Sequence, residues 1–242
     1  MIGAERVDIL MPTYRAARFI GSAVGSTLRS MGKFDRLLIH IDGMDPETER
    51  ILERFSGEKR ILVSKSKKNL GVWSSLNSLA ANVDADFVAR MDSDDVCLPW
   101  RFSFQKKFLR AKDLQMVFSP AIMISSGRIA TFPRFLPIRG VKQAVSNPAH
   151  TLTKYNPLFT SSSFMDNETF QLQRPFNEGF EDYKSWLKAC LAGKKLGVSL
   201  LPVIAYRRQA LQVSSTEHYK NLGNDDPELF ELRGQLDSYL KI

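Results

Sequence analysis

The chain is short of the residues and patterns that define several large functional classes. Only two of its 242 residues are cysteine, Cys97 and Cys190, and their separation fits neither a zinc cage nor a disulfide framework. A reducing, cytoplasmic setting is therefore expected, with both thiols used for packing. The three histidines, His40, His150 and His218, share no spacing with one another or with acids, so structural or exposed roles are expected. No G-x-G-x-x-G and no G-x-x-x-x-G-K-[ST] occurs, which argues against a Rossmann dinucleotide cradle or a P-loop. The longest apolar run, Val198 to Tyr206, contains Ser199 and Pro202 and falls short of the roughly 20 residues that span a bilayer. Met1 to Arg6 lack the charged and apolar regions of a signal peptide. No internal repeat, low-complexity segment or linker divides the chain.

What is present is a globular composition, 43% apolar, long enough for one substantial core. The net charge is +8, and its location is informative. Residues 101–150 hold nine basic residues (Arg101, Lys106, Lys107, Arg110, Lys112, Arg128, Arg134, Arg139 and Lys142) against a single acid, Asp113, leaving the remainder neutral. Such a segment suits a phosphate-bearing ligand, a nucleic acid or an anionic membrane surface, as well as an ordinary solvated face.

Strand and helix alternate four times in the first half. Val7 to Met11 reads as a buried strand stopped by Pro12, followed by a helix with Phe19, Ile20, Val24, Leu28 and Met31 at helical spacing. Further strands are expected at 36–41 and 60–64, with helices at 46–55 and from Val72 to Val83. The fourth strand, Phe87 to Met91, ends in Asp92-Ser93-Asp94-Asp95. Four alternations predict a mainly parallel sheet with helices on both faces and a ligand at the carboxyl ends of the strands. A basic amphipathic helix follows Pro99. Beyond residue 113 the pattern turns mixed, with strands expected at Leu158–Met165 and Gly197–Tyr206 and a short closing helix over 229–240.

The carboxylates after the fourth strand carry the chemistry. If strand alternation continues through them, Asp92 and Asp94 share a face with Cα atoms about 6.5 Å apart, and Asp95 points away. Paired carboxylates repel unless a cation lies between them, which suits a hard divalent ion. Alone, the same residues also fit a solvated turn and helix cap. Glu181-Asp182 opens a helix bearing Tyr183, Trp186, Leu187, Cys190 and Leu191. On a helical wheel Asp182 borders the apolar face and Glu181 lies nearer the far side.

In order and separation these blocks resemble the inverting glycosyltransferases of family 2, which have the GT-A fold and use nucleotide-sugar donors. The resemblance rests on Asp8-Ile9-Leu10-Met11-Pro12-Thr13-Tyr14, Ile41-Asp42-Gly43, Ala89-Arg90-Met91-Asp92-Ser93-Asp94-Asp95 with Leu98-Pro99-x-Arg101, Glu181-Asp182 and Tyr206-Arg207. It implies a single GT-A domain, a Rossmann-like mixed sheet with helices on both faces. Residues 1–112 would form the nucleotide-sugar half, 113–214 the acceptor half and 215–242 a tail. By resemblance, Pro12, Thr13, Tyr14 and Asp42 form the pocket for the donor base, usually uracil, and Arg90, Asp92 and Ser93 belong to the donor site. Asp94 matches the ligand of a Mn²⁺ or Mg²⁺ ion on the diphosphate, with Asp92 supporting it. Asp182 matches the base that deprotonates the acceptor hydroxyl.

The implied acceptor is a saccharide or lipid-linked saccharide, with peripheral contact to an anionic membrane as a further expectation. Two positions depart from the family pattern: Leu76-Asn77 stands where an Arg often precedes the Asn, and Gln209 where a His often stands. Three alternatives compete with this reading. One is a glycosyltransferase whose acceptor is polyanionic, such as modified DNA. Another is a non-enzymatic nucleic-acid binder, motivated by Phe102, Phe104, Phe108, Phe132 and Phe135 among the basic residues. The third is a haloacid-dehalogenase-like phosphohydrolase, because Asp92-Ser93-Asp94-Asp95-Val96 fits D-x-D-x-[TV], although that motif normally ends the first strand.

Overall fold

A computed structural model describes residues 5–125, 128–129, 147–208 and 226–241. The first half alternates as expected: β1 (Val7–Thr13), α1 (Ile20–Ser30), β2 (Arg36–Ile41), α2 (Pro46–Leu52), β3 (Ile61–Lys65), α3 (Val72–Ala80) and β4 (Phe87–Arg90). Then come β5 (Val96–Cys97), α4 (Arg101–Ala111), β6 (Met116–Phe118), β7 (Ala121–Ser125), β8 (Arg128–Ile129) and α5 (Ala149–Leu152). The chain continues through β9 (Phe164–Asp166), α6 (Asn167–Leu172), α7 (Glu181–Leu191), β10 (Leu196–Val198), β11 (Ile204–Arg208) and α8 (Pro227–Tyr239).

Seven strands form one sheet in the order β10-β6-β9-β4-β1-β2-β3, in which only β9 runs antiparallel to its neighbours. A smaller sheet, β5-β11-β7-β8, lies beside it. Alternate residues of β1 enter two separate cores. Val7, Ile9 and Met11 pack with α1 and α4 on one face, and Leu10 joins Leu38, Val88 and the apolar sides of α3, α7 and α8 on the other. Helices therefore cover both faces, as the near-continuous apolar strands require.

Pro12 does not end β1, which runs on to Thr13. In a parallel ladder alternate residues face opposite neighbours. The last residue of β1 paired on the β4 side is Leu10, opposite Arg90, so Pro12 lies beyond that ladder and its missing donor breaks none of the pairs there. The strand expected at Leu158–Met165 is a 3-10 turn, Thr160–Ser162, followed by β9. The strand expected at Gly197–Tyr206 is two strands in different sheets. Between them Ser199 donates its amide to Phe118 at the end of the β6–β10 ladder, and beyond it the Pro202 carbonyl accepts the Trp100 indole.

Residues 226–241 are no loose tail. Asp226 caps α8 by accepting the Leu229 amide, and Leu229 and Leu236 are buried against α7. Both cysteines are free and buried. Among the described residues no helix is long and apolar enough to cross a membrane. Gln209, His218, Phe132, Phe135, Arg134, Arg139 and Lys142 lie outside the described residues.

Candidate active site

β4 carries Arg90 to the carboxyl edge of the sheet, and the chain then turns instead of extending. The Asp95 amide bonds back to the Asp92 carbonyl at 3.3 Å, so strand alternation stops before the acids. This corrects the expected reason for the position of Asp95. It is fully buried, and its Oδ1 accepts the Arg207 amide at 2.9 Å, while Arg207 Nε donates to the Asp94 carbonyl at 2.9 Å. β11 thus holds the acidic loop from one side. From the other, Ser161 Oγ accepts the Asp92 amide at 3.0 Å.

Beneath the loop lies a fully buried guanidinium. Arg101 donates to the carbonyls of Arg90 at 2.7 Å and Ser163 at 3.2 Å, and its Nε meets Gln105 Oε1 at 3.1 Å. Gln105 in turn reaches the Ser162 carbonyl at 2.7 Å. The Arg101 of the Leu98-Pro99-x-Arg101 block is therefore a strut joining the end of β4, the acidic loop and the Thr160–Ser162 turn.

The base candidate arrives from ninety residues later. Gly179 and Phe180 both take positive φ, 71° and 49°, immediately before the first turn of α7. Glu181 is largely buried next to Arg90, which corrects the wheel-based expectation that it lies nearer the far side. Glu181 Oε1 lies 3.6 Å from a guanidinium nitrogen of the buried Arg90. Asp182 Oδ2 accepts Thr160 Oγ1 at 2.5 Å and Asn156 Nδ2 at 3.3 Å, and its Oδ1 accepts the Tyr183 amide at 2.6 Å.

Burial dominates the electrostatics, and crowding of like charge adds to it. Burial pushes the Asp92 carboxyl up to about 6; Arg90 opposes this, and the nearby Asp94 and Asp182 carboxylates add to it. Glu181 is pushed up to about 7, by burial first and then by Asp182, again against Arg90. Asp95 is held well above the ordinary carboxylate range by burial and by Asp92 and Asp94.

On the donor side, β1 and β2 are adjacent strands, and the Asp42 amide donates to the Thr13 carbonyl at 2.8 Å. Pro12 is half-buried, Thr13 is buried with its hydroxyl on the Met11 carbonyl, and Tyr14 is exposed with the Arg15 guanidinium over its ring. Asp42 is already engaged within the protein: Oδ1 accepts the Leu70 amide at 2.8 Å and the Ser66 hydroxyl at 3.2 Å, and Oδ2 accepts the Gly71 amide at 2.8 Å. It ties the loop before α3 to the end of β2. Gly43, at φ 91°, is needed there because a Cβ would stand 3.1 Å from the Asn69 amide nitrogen.

The structure thus gathers Arg90, Asp92, Asp94, Glu181 and Asp182, with Ser93 half-buried in the same turn. It adds Thr160, Asn156 and Ser161, which the sequence reading missed. The run Ser161-Ser162-Ser163 was the available signal, since three consecutive hydroxyls suit a turn better than a strand. Among the described residues no three acidic, histidine or cysteine side chains form a ready-made metal cage. Two hard carboxylates near a diphosphate fit the sparser way Mg²⁺ and Mn²⁺ are held, completed by substrate oxygens and water.

The aromatic residues among the basic ones of α4 are used for packing, which disfavours a nucleic-acid binder. Phe102 is buried and Phe104 and Phe108 pack on the core, so none of the three is a free stacking platform. Lys106 and Arg110 are held by Glu5. A dehalogenase-like reading is disfavoured because the acids follow β4, while the first strand ends in Pro12-Thr13.

Residues 8–167 match Glycosyl transferase family 2. The chain belongs to this family. An uncharacterized glycosyltransferase of Haemophilus influenzae is 25% identical over 240 residues, 96% of this chain and 86% of its own length. The O-antigen biosynthesis glycosyltransferase WbnJ of Escherichia coli is 25% identical over 190 residues, covering 76% of this chain and 71% of WbnJ. Among solved structures, S. aureus TarS 1–349 in complex with UDP-GlcNAc superposes with a TM-score of 0.67 at 17% identity, covering 90% of this glycosyltransferase and 64% of that chain. A further TarS structure has the same TM-score and identity, and there this glycosyltransferase spans 37% of the solved chain. These likenesses establish the GT-A fold of the family 2 domain.

Proposed function

We propose that this glycosyltransferase moves a sugar from a UDP-sugar to an acceptor hydroxyl with inversion at the anomeric carbon. One observation carries the reading: a single turn ties Asp182 to the acidic loop, Thr160 donating to Asp182 Oδ2 while its neighbour Ser161 accepts the Asp92 amide. The UDP and UDP-GlcNAc complexes of TarS support uridine as the base, and the polysaccharide role in the name of WbnJ supports a saccharide acceptor.

In this reading Asp94, supported by Asp92, holds a Mn²⁺ or Mg²⁺ ion. When bound, the ion supplies Lewis-acid neutralisation of charge on the departing diphosphate. Asp182 accepts the proton of the acceptor hydroxyl as its oxygen forms the new bond to the anomeric carbon and the bond to the diphosphate breaks. A single base, with no second carboxylate assigned as nucleophile, gives one displacement and hence inversion. Tyr14 offers an exposed ring for the uracil, and Asp42 shapes that pocket through the loop it holds.

The test is thermal stabilisation by UDP with and without Mn²⁺, followed by sugar transfer. Stabilisation is expected only with the ion present, and Asp94→Ala is expected to abolish it. Asp182→Asn should keep the stabilisation yet lose turnover by a hundredfold or more. An Asp94→Ala protein with the full ion-dependent shift would overturn the metal assignment.

A further inference from the structure

The Thr160–Ser162 turn touches both sides of the site. Thr160 Oγ1 donates to Asp182 Oδ2 at 2.5 Å, while the next residue, Ser161, accepts the Asp92 amide at 3.0 Å. The turn itself is held firmly: Ser162 Oγ accepts the Ser119 amide at 3.1 Å, its carbonyl accepts Gln105 at 2.7 Å, and Arg101 donates to Ser163. Asn156, the second donor to Asp182, has its amide oriented because Oδ1 accepts the Leu158 amide at 3.1 Å. Asp182 therefore meets two donors whose own positions are fixed elsewhere. An aspartate in a first helical turn otherwise swings among rotamers, and Arg90 on the neighbouring Glu181 offers a competing attraction.

We propose that Thr160, assisted by Asn156, is a positioning residue of sugar transfer that fixes the Asp182 carboxylate at a set distance from the donor-side acids. The proposal rests on Asp182 being the base. The Thr160 hydroxyl uses one lone pair of Oδ2 and keeps its own proton throughout. With Asn156 also on Oδ2 and the Tyr183 amide on Oδ1, one lone pair remains, on Oδ1, to take the proton of the acceptor hydroxyl as its oxygen bonds to the anomeric carbon and the bond to the diphosphate breaks. Misplacement of a base by about 1 Å costs on the order of a hundredfold in rate, so one hydroxyl suffices to matter.

The experiment compares Thr160→Val, Thr160→Ser, Asn156→Ala, Asp182→Asn and Thr160→Val/Asp182→Asn. UDP release is followed with Mn²⁺ and water as acceptor, using whichever of UDP-glucose, UDP-galactose, UDP-GlcNAc and UDP-GalNAc the wild type hydrolyses. Folding is checked by UDP-dependent stabilisation. Thr160→Val should lose about ten- to a hundredfold in kcat with donor KM nearly unchanged, and Thr160→Ser should recover most of it. Asn156→Ala should lose less in kcat, again at constant KM. In the Asp182→Asn background, Thr160→Val should have no further effect. Wild-type kcat in Thr160→Val, or a full additional loss in the double variant, would overturn the proposal while leaving the base assignment intact. Near-normal turnover in Asp182→Asn would instead remove the base assignment on which it rests.

Discussion

At the scale of single residues, Glu181 is the side chain whose behaviour departs most from its sequence context. First-turn acids are commonplace at helix starts. Here the carboxyl is pushed up to about 7 by burial and by Asp182, whereas an unfolded glutamate titrates near 4.5. Between those values the folded chain keeps a proton that the unfolded chain has released. The protonated form favours the fold, and this contribution falls as pH rises from about 4.5 to about 7 and stays lost above it. Asp92, raised to about 6, acts in the same direction. Melting temperatures measured in EDTA from pH 5 to 8 should therefore decline less steeply for Glu181→Gln than for the wild type, by a few degrees across the window. Parallel profiles would refute the assignment. Asp42 teaches the opposite lesson: a residue matched to ligand binding by sequence has three protein donors on its carboxylate, so its effect on a ligand runs through the loop it holds.

At the scale of elements, the strut from α4 to β4 is the most exposed to test. Arg101 is a buried cation held by two carbonyls, a glutamine and the Met91 sulfur, and burial draws its pKa below the ordinary arginine value. Arg101→Met removes the desolvation cost of the charge but leaves the Gln105 oxygen without its donor and deprives two carbonyls of one. A lysine cannot replace a planar fork that reaches several acceptors at once. Both substitutions should lower the urea midpoint, by roughly 2–4 kcal/mol in stability with an unchanged m value. Stability within experimental error of the wild type would show that the strut is dispensable. The alternation of β1 to β4 with three helices was legible because each apolar run is strongly periodic. The later strands were misjudged because they are only three to five residues long, and their boundaries are set by partners distant in sequence, such as Trp100 on Pro202 and Phe118 on Ser199.

At the scale of the whole molecule, two cores divided by one sheet make the last helix part of the fold. α8 covers α7 with Leu229 and Leu236, and Lys184, itself buried, pairs with Asp226 at 2.8 Å and Glu228 at 3.1 Å. A chain stopped at residue 225 would expose the apolar side of α7 and strand the Lys184 cation. It is expected to lose its cooperative melt by circular dichroism, whereas Lys184→Met should retain one. A cooperative melt of the shortened chain near the wild-type temperature would contradict this. The sequence by itself determined the fold class and the family and marked the acids that are candidates for the site, because periodic apolar runs and short polar motifs at strand ends are local signals. The tertiary structure decided which of those acids meet. Asp95 is committed to β11, and Thr160 and Asn156 stand against Asp182 through hydrogen bonds that the fold closes. Contacts between residues 22 to 112 positions apart depend on how the strands are ordered in the sheet, and no local pattern encodes that order.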